Sequence, residues 1–155
     1  MRKISVDEFM FLEAFQRDED FEHYPQSTYL DLKIGEILWI FDDDHDAEML
    51  AGIEPEENAA LREKVETASE MYLEIRGRDH GEHHDILREF LNSNWTDDEE
   101  LRAKVRDAYS SSIGGWKEEV DDQNVLNAYY DFRDRKIKEL AEEFLHENDI
   151  QPIWR

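Results

Sequence analysis

Cysteine is absent from this sequence of 155 residues, and proline and glycine are scarce, with 3 and 6 residues. The absence of cysteine excludes disulfide bonds, thiol catalysis and thiolate metal sites. Long apolar runs are absent too, because the longest, residues 37–41, falls far short of the roughly 20 residues that a membrane helix needs. Asp7, Glu8 and Glu13 interrupt the first apolar stretch, as they would not in a secretory signal. We therefore expect a soluble, cytoplasmic protein with no signal peptide and no membrane contact.

Basic residues are also few, since 18 Lys and Arg face 41 Asp and Glu, a net charge of −23. The excess is uneven, with net charges of −5 for residues 1–41, −15 for residues 42–100 and −3 for residues 101–155. Binding to nucleic acid requires clustered Lys and Arg, so we predict no direct nucleic-acid binding. The acidic middle segment predicts a basic protein partner instead, with nucleic-acid mimicry as the sharper form of that hypothesis.

The apolar content is that of a folded protein, at 39% hydrophobic and 12% aromatic residues. A chain of this length buries roughly 68–70% of its unfolded surface, which supports a core without disulfides or metals. No repeat, low-complexity tract or linker divides the sequence. We therefore predict a single acidic globular domain over residues 1–155.

Residues 28–41 have the pattern of a β-hairpin, with two apolar strands around a short loop in which Gly35 supplies a positive φ. Residues 71–76 alternate in the same way and predict a third strand beside the hairpin. The remaining apolar residues recur at helical spacing. The predicted fold class is therefore α+β, with a small antiparallel sheet of about three strands covered by about five or six helices.

The first predicted helix runs from about Val6 to Arg17, with Ser5 as its N-cap and Ile4 packed on Phe9. Pro55 is typical of a first helical turn, and Gly114 with Gly115 predicts a flexible break between helices. The other predicted helices cover residues near 86–91, a stretch that begins around 95–99 and a long segment at about 123–147.

Several segments in this order resemble a known family. They are YLDLKIGEI, MYLEI, DILREFL, IGGWKEEV, AYYDFRDR and AEEFLHENDIQP, over residues 29–152. This set is similar to the bacterial Uncharacterised Protein Family 0158. The resemblance implies a shared α+β fold, and because that family has no known activity it implies no function, cofactor or site.

The predicted binding site is a negatively charged face. Trp116 and Trp154 are its predicted aromatic members, because their positions do not assign them to the core, whereas Trp39 and Tyr129 are expected in the core. Its acidic members are Asp42, Asp43, Asp44, Asp46, Glu54, Glu56, Glu57, Asp97 and Asp98. The aspartate run does not match a calcium loop of the EF-hand type, because Ala47 and Ile53 stand where glycine and glutamate are required. Its alternative interpretation is a charged strand end that discourages edge pairing.

The residues with the most suggestive chemistry are His80, His84 and Asp85, since two histidines four residues apart on a helix share one face. Their spacing matches no known metal motif, and the more common role of such residues is as solvated caps. We therefore predict no metal site, no cofactor and no catalytic residue, and keep a metal-dependent enzyme as the alternative.

The function that these observations favour is a non-enzymatic binding or regulatory protein that engages a basic protein partner. Two other interpretations stay open. In the first, the acidity serves only solubility or adaptation to a salty cytoplasm, and the excess of 11 Arg over 7 Lys mildly favours this interpretation. In the second, the chain is a regulatory module fused or bound to another protein.

Overall fold

The computed structural model describes residues 1–18 and 26–155, and it divides the chain into two compact units. Residues 1–78 and 140–155 form the first unit, and residues 79–139 form the second. The predicted α+β class is confirmed. The described elements are β1 (Arg2–Val6), α1 (Glu8–Gln16), β2 (Gln26–Asp31), β3 (Ile37–Phe41), α2 (Asp44–Ala51), α3 (Pro55–Thr67), a 3-10 turn (Ser69–Met71), β4 (Tyr72–Glu74), α4 (His80–Leu91), α5 (Glu99–Asp107), α6 (Ile113–Val120), α7 (Gln123–Glu147) and β5 (Ile150–Trp154).

The predicted sheet lies in the first unit, with the strand order β3-β2-β4 and antiparallel pairing throughout. Thr28 is opposite Trp39, and Leu30 is opposite both Ile37 and Leu73. Gly35 has φ +75° in the loop, as predicted from its place between the strands. The prediction of a hairpin joined by a third strand is confirmed, although Met71 belongs to the preceding turn.

The N-terminus differs from the prediction. Residues 2–6 form a strand that pairs in parallel with β5, and Ile4 is opposite Pro152. Asp7, not Ser5, caps α1, because its side chain accepts a hydrogen bond from the Met10 amide. Phe9 is 70% exposed, so the predicted contact with Ile4 is wrong. A capping box is a local sequence signal. Here it is outweighed by the backbone hydrogen bonds between β1 and β5, which lie at opposite ends of the sequence.

The predicted break at Gly114 and Gly115 is also wrong, because both glycines lie inside α6. Ser112 caps this helix by accepting a hydrogen bond from the Gly115 amide at 2.9 Å. A Cβ atom on Gly115 would lie 2.7 Å from the Ser112 hydroxyl, so the glycine is needed for a close cap and not for flexibility.

The core of the second unit is aromatic and surrounds Phe90. Its ring lies 5.2 Å from Trp95, 6.2 Å from Trp116, 5.6 Å from Tyr129 and 5.7 Å from Phe132, measured between centroids. Most of these contacts are edge-on, which is a favoured arrangement of aromatic rings. The prediction of Tyr129 as a core residue is confirmed, since only 2% of it is exposed.

The first unit has its own aromatic core around Phe11, which contacts Phe15, Phe144 and Trp154. Trp39 is only half-buried, so its prediction as a core residue is met in part. Two arginines add polar links inside this unit. Arg17 donates to the Ile75 carbonyl at 2.9 Å, and Arg78 lies 3.9 Å from the centre of the Phe15 ring.

Candidate functional site

The acidic face predicted from sequence falls mainly on α2 and α3 of the first unit. We use the name acidic helix pair for residues 42–67, which comprise these helices and the residues around them. The segment holds ten acidic and two basic residues, a net charge of −8. The two helices pack against each other and against β3, so these charges lie on one local structure.

The first helix of the acidic pair was not predicted. Asp43 caps it by accepting hydrogen bonds from the amides of His45 and Asp46, at 2.7 and 3.2 Å. Gly52 ends it with φ +67°, which is the usual conformation for a residue just after a helix. The sequence signals for this helix were therefore an aspartate at its start and a glycine after its end. They were not recognised because the acidic stretch between them has little apolar periodicity.

Asp44 has a structural role in the acidic helix pair. Its carboxylate accepts from both terminal nitrogens of Arg62, at 2.9 and 3.2 Å, and from Nδ2 of Asn58 at 2.7 Å. These hydrogen bonds, with Arg62 as the largest cause, lower the pKa of Asp44 below its ordinary value. The carboxylate therefore ties α2 to α3 and is engaged within the protein.

Asn58 completes this connection and is fully buried. Its side-chain oxygen accepts from the Phe41 amide at 3.0 Å, and its Nδ2 donates to the Phe41 carbonyl at 2.9 Å. The amide group thus continues the backbone pairing of β3 with a side chain from α3. Asn58 was not among the residues predicted from sequence, because a lone asparagine inside a helix carries no distinctive pattern.

Eight of the nine other acids of the acidic helix pair are exposed to solvent. Exposed members are Asp42, Asp43, Glu48, Glu54, Glu56, Glu57, Glu63 and Glu66. Within the described residues, Asp44 is the one acid of this pair that takes part in an ion pair. Asp46 is half-buried in the first turn of α2.

Two large apolar side chains are exposed on the same helix, α2. Met49 is 65% exposed and Leu50 is 43% exposed, whereas Ala47 of the same helix is fully buried. The surface of α2 therefore combines negative charge with two exposed apolar side chains.

Asp97 and Asp98 were predicted to join the acidic face, and they lie in the second unit. Both are exposed, and Asp98 caps α5 by accepting from the Leu101 amide at 3.0 Å. The helix was predicted to begin around residues 95–99, which the structure places at Glu99. The participation of Asp97 and Asp98 in one face with residues 42–57 stays a prediction.

The histidine cluster opens α4, where Asp79 and Glu82 form a capping box. Nε2 of His84 lies 3.1 Å from Nε2 of His80, and Nδ1 of His84 contacts the hydroxyl of Tyr109. Burial, followed by His80 and Arg88, lowers the pKa of His84 below its usual value. Tyr109 was not predicted as a neighbour, since it is distant in sequence.

Asp85, the third residue of the metal alternative, is exposed and pairs with Arg88 at 3.0 Å. Over residues 1–18 and 26–155, no group of three or more His, Asp or Glu side chains is placed to hold a metal ion. Two imidazoles alone leave half of the four coordination positions of a zinc ion to water.

The two predicted surface tryptophans are placed differently. Trp116 is only 1% exposed and donates from Nε1 to the Val105 carbonyl at 3.0 Å, so its predicted role in a binding surface is wrong. The glycine pair beside it suggested a loop, but it lies within a packed helix. Trp154 is half-buried and donates from Nε1 to Glu142 at 3.0 Å.

In the part of the chain that the structure describes, no helix combines the length and the apolar character that crossing a membrane requires. Comparisons with protein-family models, with curated proteins and with solved structures find no match to this chain. The resemblance to Uncharacterised Protein Family 0158 stays a prediction.

Proposed function

We propose that the protein is a cytoplasmic, non-enzymatic binding protein that engages a basic protein partner through the acidic helix pair. The observation that carries this proposal is the combination on two packed helices of eight exposed acids with exposed Met49 and Leu50. A surface that served only solubility would not need the two apolar side chains. We also propose that the chain belongs to Uncharacterised Protein Family 0158.

The charges and the apolar residues have different tasks in this proposal. Clustered carboxylates attract a basic surface and accelerate its association, and salt weakens that attraction. Net affinity depends more on a few well-packed contacts, which Met49 and Leu50 would supply. The expected partner surface therefore carries Lys or Arg around an apolar pocket.

Nucleic-acid mimicry is the narrower form of the proposal. A globule with this net charge averages one charge per roughly 360 Å², against one per about 110 Å² on duplex DNA. Mimicry therefore requires the acids to be concentrated about threefold on one face. The net charge of −8 over the 26 residues 42–67 is about twice the chain's average charge per residue, which supplies part of that concentration. This form predicts that duplex DNA competes with the protein for its partner.

A metal-dependent reaction at His80 and His84 is the second candidate. The observation that favours it is the 3.1 Å separation of the two Nε2 atoms, which is compatible with one shared ion. Elemental analysis tests it directly. About one tightly held zinc per chain, lost on His80→Ala and His84→Ala, would support this second candidate.

The proposal is tested by charge reversal of acids that have no cap or ion-pair role. We choose the triple variant Asp42→Lys, Glu48→Lys and Glu57→Lys in the acidic helix pair. The matched control reverses three exposed acids of the second unit, Glu118→Lys, Asp131→Lys and Glu139→Lys. Both variants change the net charge equally, so they separate location from total charge.

The measurement is retention of proteins from cell extract on each immobilised form, at low and at high salt. We expect the wild type and the control to retain the same basic protein at low salt and to release it at high salt, and the test variant to lose it. Met49→Ser with Leu50→Ser should weaken retention without a change in charge. Equal retention by both charge variants would leave solubility as the better explanation of the acids.

A further inference from the structure

The second unit contains an open cavity of about 530 Å³ between α5, α6 and the start of α7. None of the residues that line it belongs to the acidic helix pair or to the histidine cluster. Its apolar floor includes Leu101, Val105, Val120 and Val125, of which Val105 and Val125 are almost fully buried. A volume of this size is typical of sites for small organic ligands.

Charged side chains surround this floor. Four carboxylates, those of Glu100, Asp107, Glu119 and Asp122, line the cavity together with the single ammonium of Lys104. In the described part of the chain, Glu100, Asp107 and Glu119 form no ion pair and no side-chain hydrogen bond. These three carboxylates are therefore available to a positively charged ligand.

The helix ends add to the negative potential. α5 ends at Asp107 and α6 ends at Val120, and the residues at both ends line the cavity. The end of a helix carries partial negative charge, which favours cations. At the end of α5 the carbonyls of Lys104, Val105 and Arg106 already accept hydrogen bonds within the protein, so this helix end contributes through its dipole. The positive start of α7 is offset by Asp122, whose carboxylate accepts from the amides of Asn124 and Val125.

We infer that this cavity binds a linear organic dication, an alkyl chain with an ammonium group at each end. The chain would cover the apolar floor, and the ammonium groups would contact the carboxylates in the negative potential of the helix ends. Glu100 and Asp107 are seven positions apart on α5, which corresponds to about 10 Å along the helix axis. An extended chain of about eight methylenes matches that length, which makes a long-chain diamine the class of ligand that fits.

The probe for this inference is octamethylenediamine, titrated by calorimetry into the full-length protein. Octanediol tests the need for charge, and Mg²⁺ at equal ionic strength tests whether any dication suffices. We expect the diamine to bind with one site per chain, and the diol and Mg²⁺ to bind at least about tenfold more weakly. Equal binding of Mg²⁺ would show that charge alone is responsible and would overturn the inference.

Paired variants separate this site from the general acidity of the chain. Glu100→Gln with Glu119→Gln removes two carboxylates of the cavity, and Glu99→Gln with Glu118→Gln removes their exposed neighbours on the same helices. We expect about a tenfold loss of affinity in the first pair and less than about a threefold change in the second. Equal losses would overturn the inference.

A filling variant tests the cavity itself. Ala103 lines the cavity and is half-buried, so Ala103→Phe should occupy its space and abolish binding of the diamine. Ala60→Phe, at an exposed position of α3, is the control for the added ring and should bind normally. Thermal unfolding monitored by circular dichroism verifies that each variant is folded.

A lysine-rich peptide identifies the competing class of ligand. The inference is wrong if the peptide binds to the wild type, loses binding in the Ala103→Phe variant, and the diamine does not bind at all. In that case the cavity binds a basic protein segment. The inference is independent of the proposed function, because the charge reversals in residues 42–67 leave the cavity residues unchanged. Failure of one result therefore leaves the other intact.

Discussion

The two units of this protein are built differently. The first pairs strands that are far apart in sequence, such as residues 2–6 with residues 150–154. It also contains buried polar side chains that bond to backbone groups, such as Asn58 with Phe41 and Arg78 with the Phe15 carbonyl. The second is a continuous stretch of helices around an aromatic core centred on Phe90. Their charges differ as well, since the first unit carries a net −16 and the second a net −7.

This difference indicates which kinds of substitution destabilise each unit most. In the first unit, close backbone approaches and side-chain links to the backbone specify the fold, so a single added atom or a lost hydrogen bond is costly. In the second, stability depends on the packing volume of large rings, so deletions are costly and small additions on its surface are tolerated. The predictions below test this contrast in decreasing order of effect.

The largest expected effect is that of Gly35→Ala in the first unit. Gly35 has φ +75°, and a Cβ there would lie 1.7 Å from the Ser5 carbonyl oxygen, which belongs to the backbone of β1. Since the backbone on both sides would have to move, we expect a loss of about 5 kcal/mol or more in the free energy of unfolding. Chemical denaturation monitored by circular dichroism measures this loss.

Gly114→Ala is the matched substitution in the second unit. No atom lies within 4 Å of a Cβ at this position, which is inside α6. Alanine in a helix is preferred over glycine, so we expect stabilisation by about 0.5–1 kcal/mol. The same change is thus predicted to have opposite signs in the two units, and destabilisation of both by similar amounts would contradict the contrast.

The next effect is that of Phe90→Ala, at the centre of the second unit. The ring is fully buried and contacts four other aromatic rings, so its removal leaves a cavity that the neighbours fill only partly. We expect a loss of about 4 kcal/mol in the free energy of unfolding. Phe90→Leu should cost clearly less, and equal costs of the two variants would show that the site is not packed around the ring.

Asn58→Ala tests the polar link between α3 and β3. The variant leaves the buried amide of Phe41 without its side-chain acceptor and leaves the Phe41 carbonyl with only the longer hydrogen bond from Arg62 at 3.3 Å. We expect this loss to cost about 2–3 kcal/mol. Asn127→Ala, at an exposed position of α7, is the control. A cost near that of the control would mean that water replaces the Asn58 side chain, so that the hydrogen bonds are not decisive.

The smallest effect concerns His84 and pH. Because its pKa is lowered in the folded chain from an ordinary value of 6.5, the unfolded chain binds the proton more readily. The stability that His84 contributes is therefore present above about pH 6.5 and is lost as pH falls through the folded pKa. We expect His84→Gln to flatten the decline in melting temperature between about pH 7 and 5.

The exposed His146→Gln is the control for the pH experiment and should leave the decline unchanged. NMR titration of the imidazole resonances gives the pKa of His84 directly. A pKa of His84 above its ordinary value would contradict the assigned causes, which are burial, followed by the nearby His80 and Arg88.

The sequence allowed much of this fold to be predicted where the signals were local. The hairpin around Gly35, the third strand and the long helix at residues 123–147 follow from periodicity and turn residues, and the structure has them at nearly those positions. The pairing of β1 with β5 was missed, because no local pattern reveals a partner almost 150 residues away. That same ladder is why the capping signal at Ser5 was misleading.

The candidate site was predicted in composition but not in detail. Net charge located the acids of residues 42–57, yet it did not separate Asp44, which is engaged with Arg62 and Asn58, from the exposed acids around it. The placement of Trp116 was wrong because a glycine pair resembles a loop in sequence and is a close cap in the structure. The exposure of Met49 and Leu50 was also beyond sequence reasoning, since α2 itself was not predicted.

The most direct test of the central claim is a footprint of the retained partner on this protein. Hydrogen–deuterium exchange, measured by mass spectrometry with and without the basic protein captured from extract, reports which amides become protected. Our account predicts protection concentrated in residues 42–67, with the same region unprotected when the complex is dissociated by high salt. Protection confined to residues 79–139, or unchanged exchange in residues 42–67 in the presence of the partner, would contradict it.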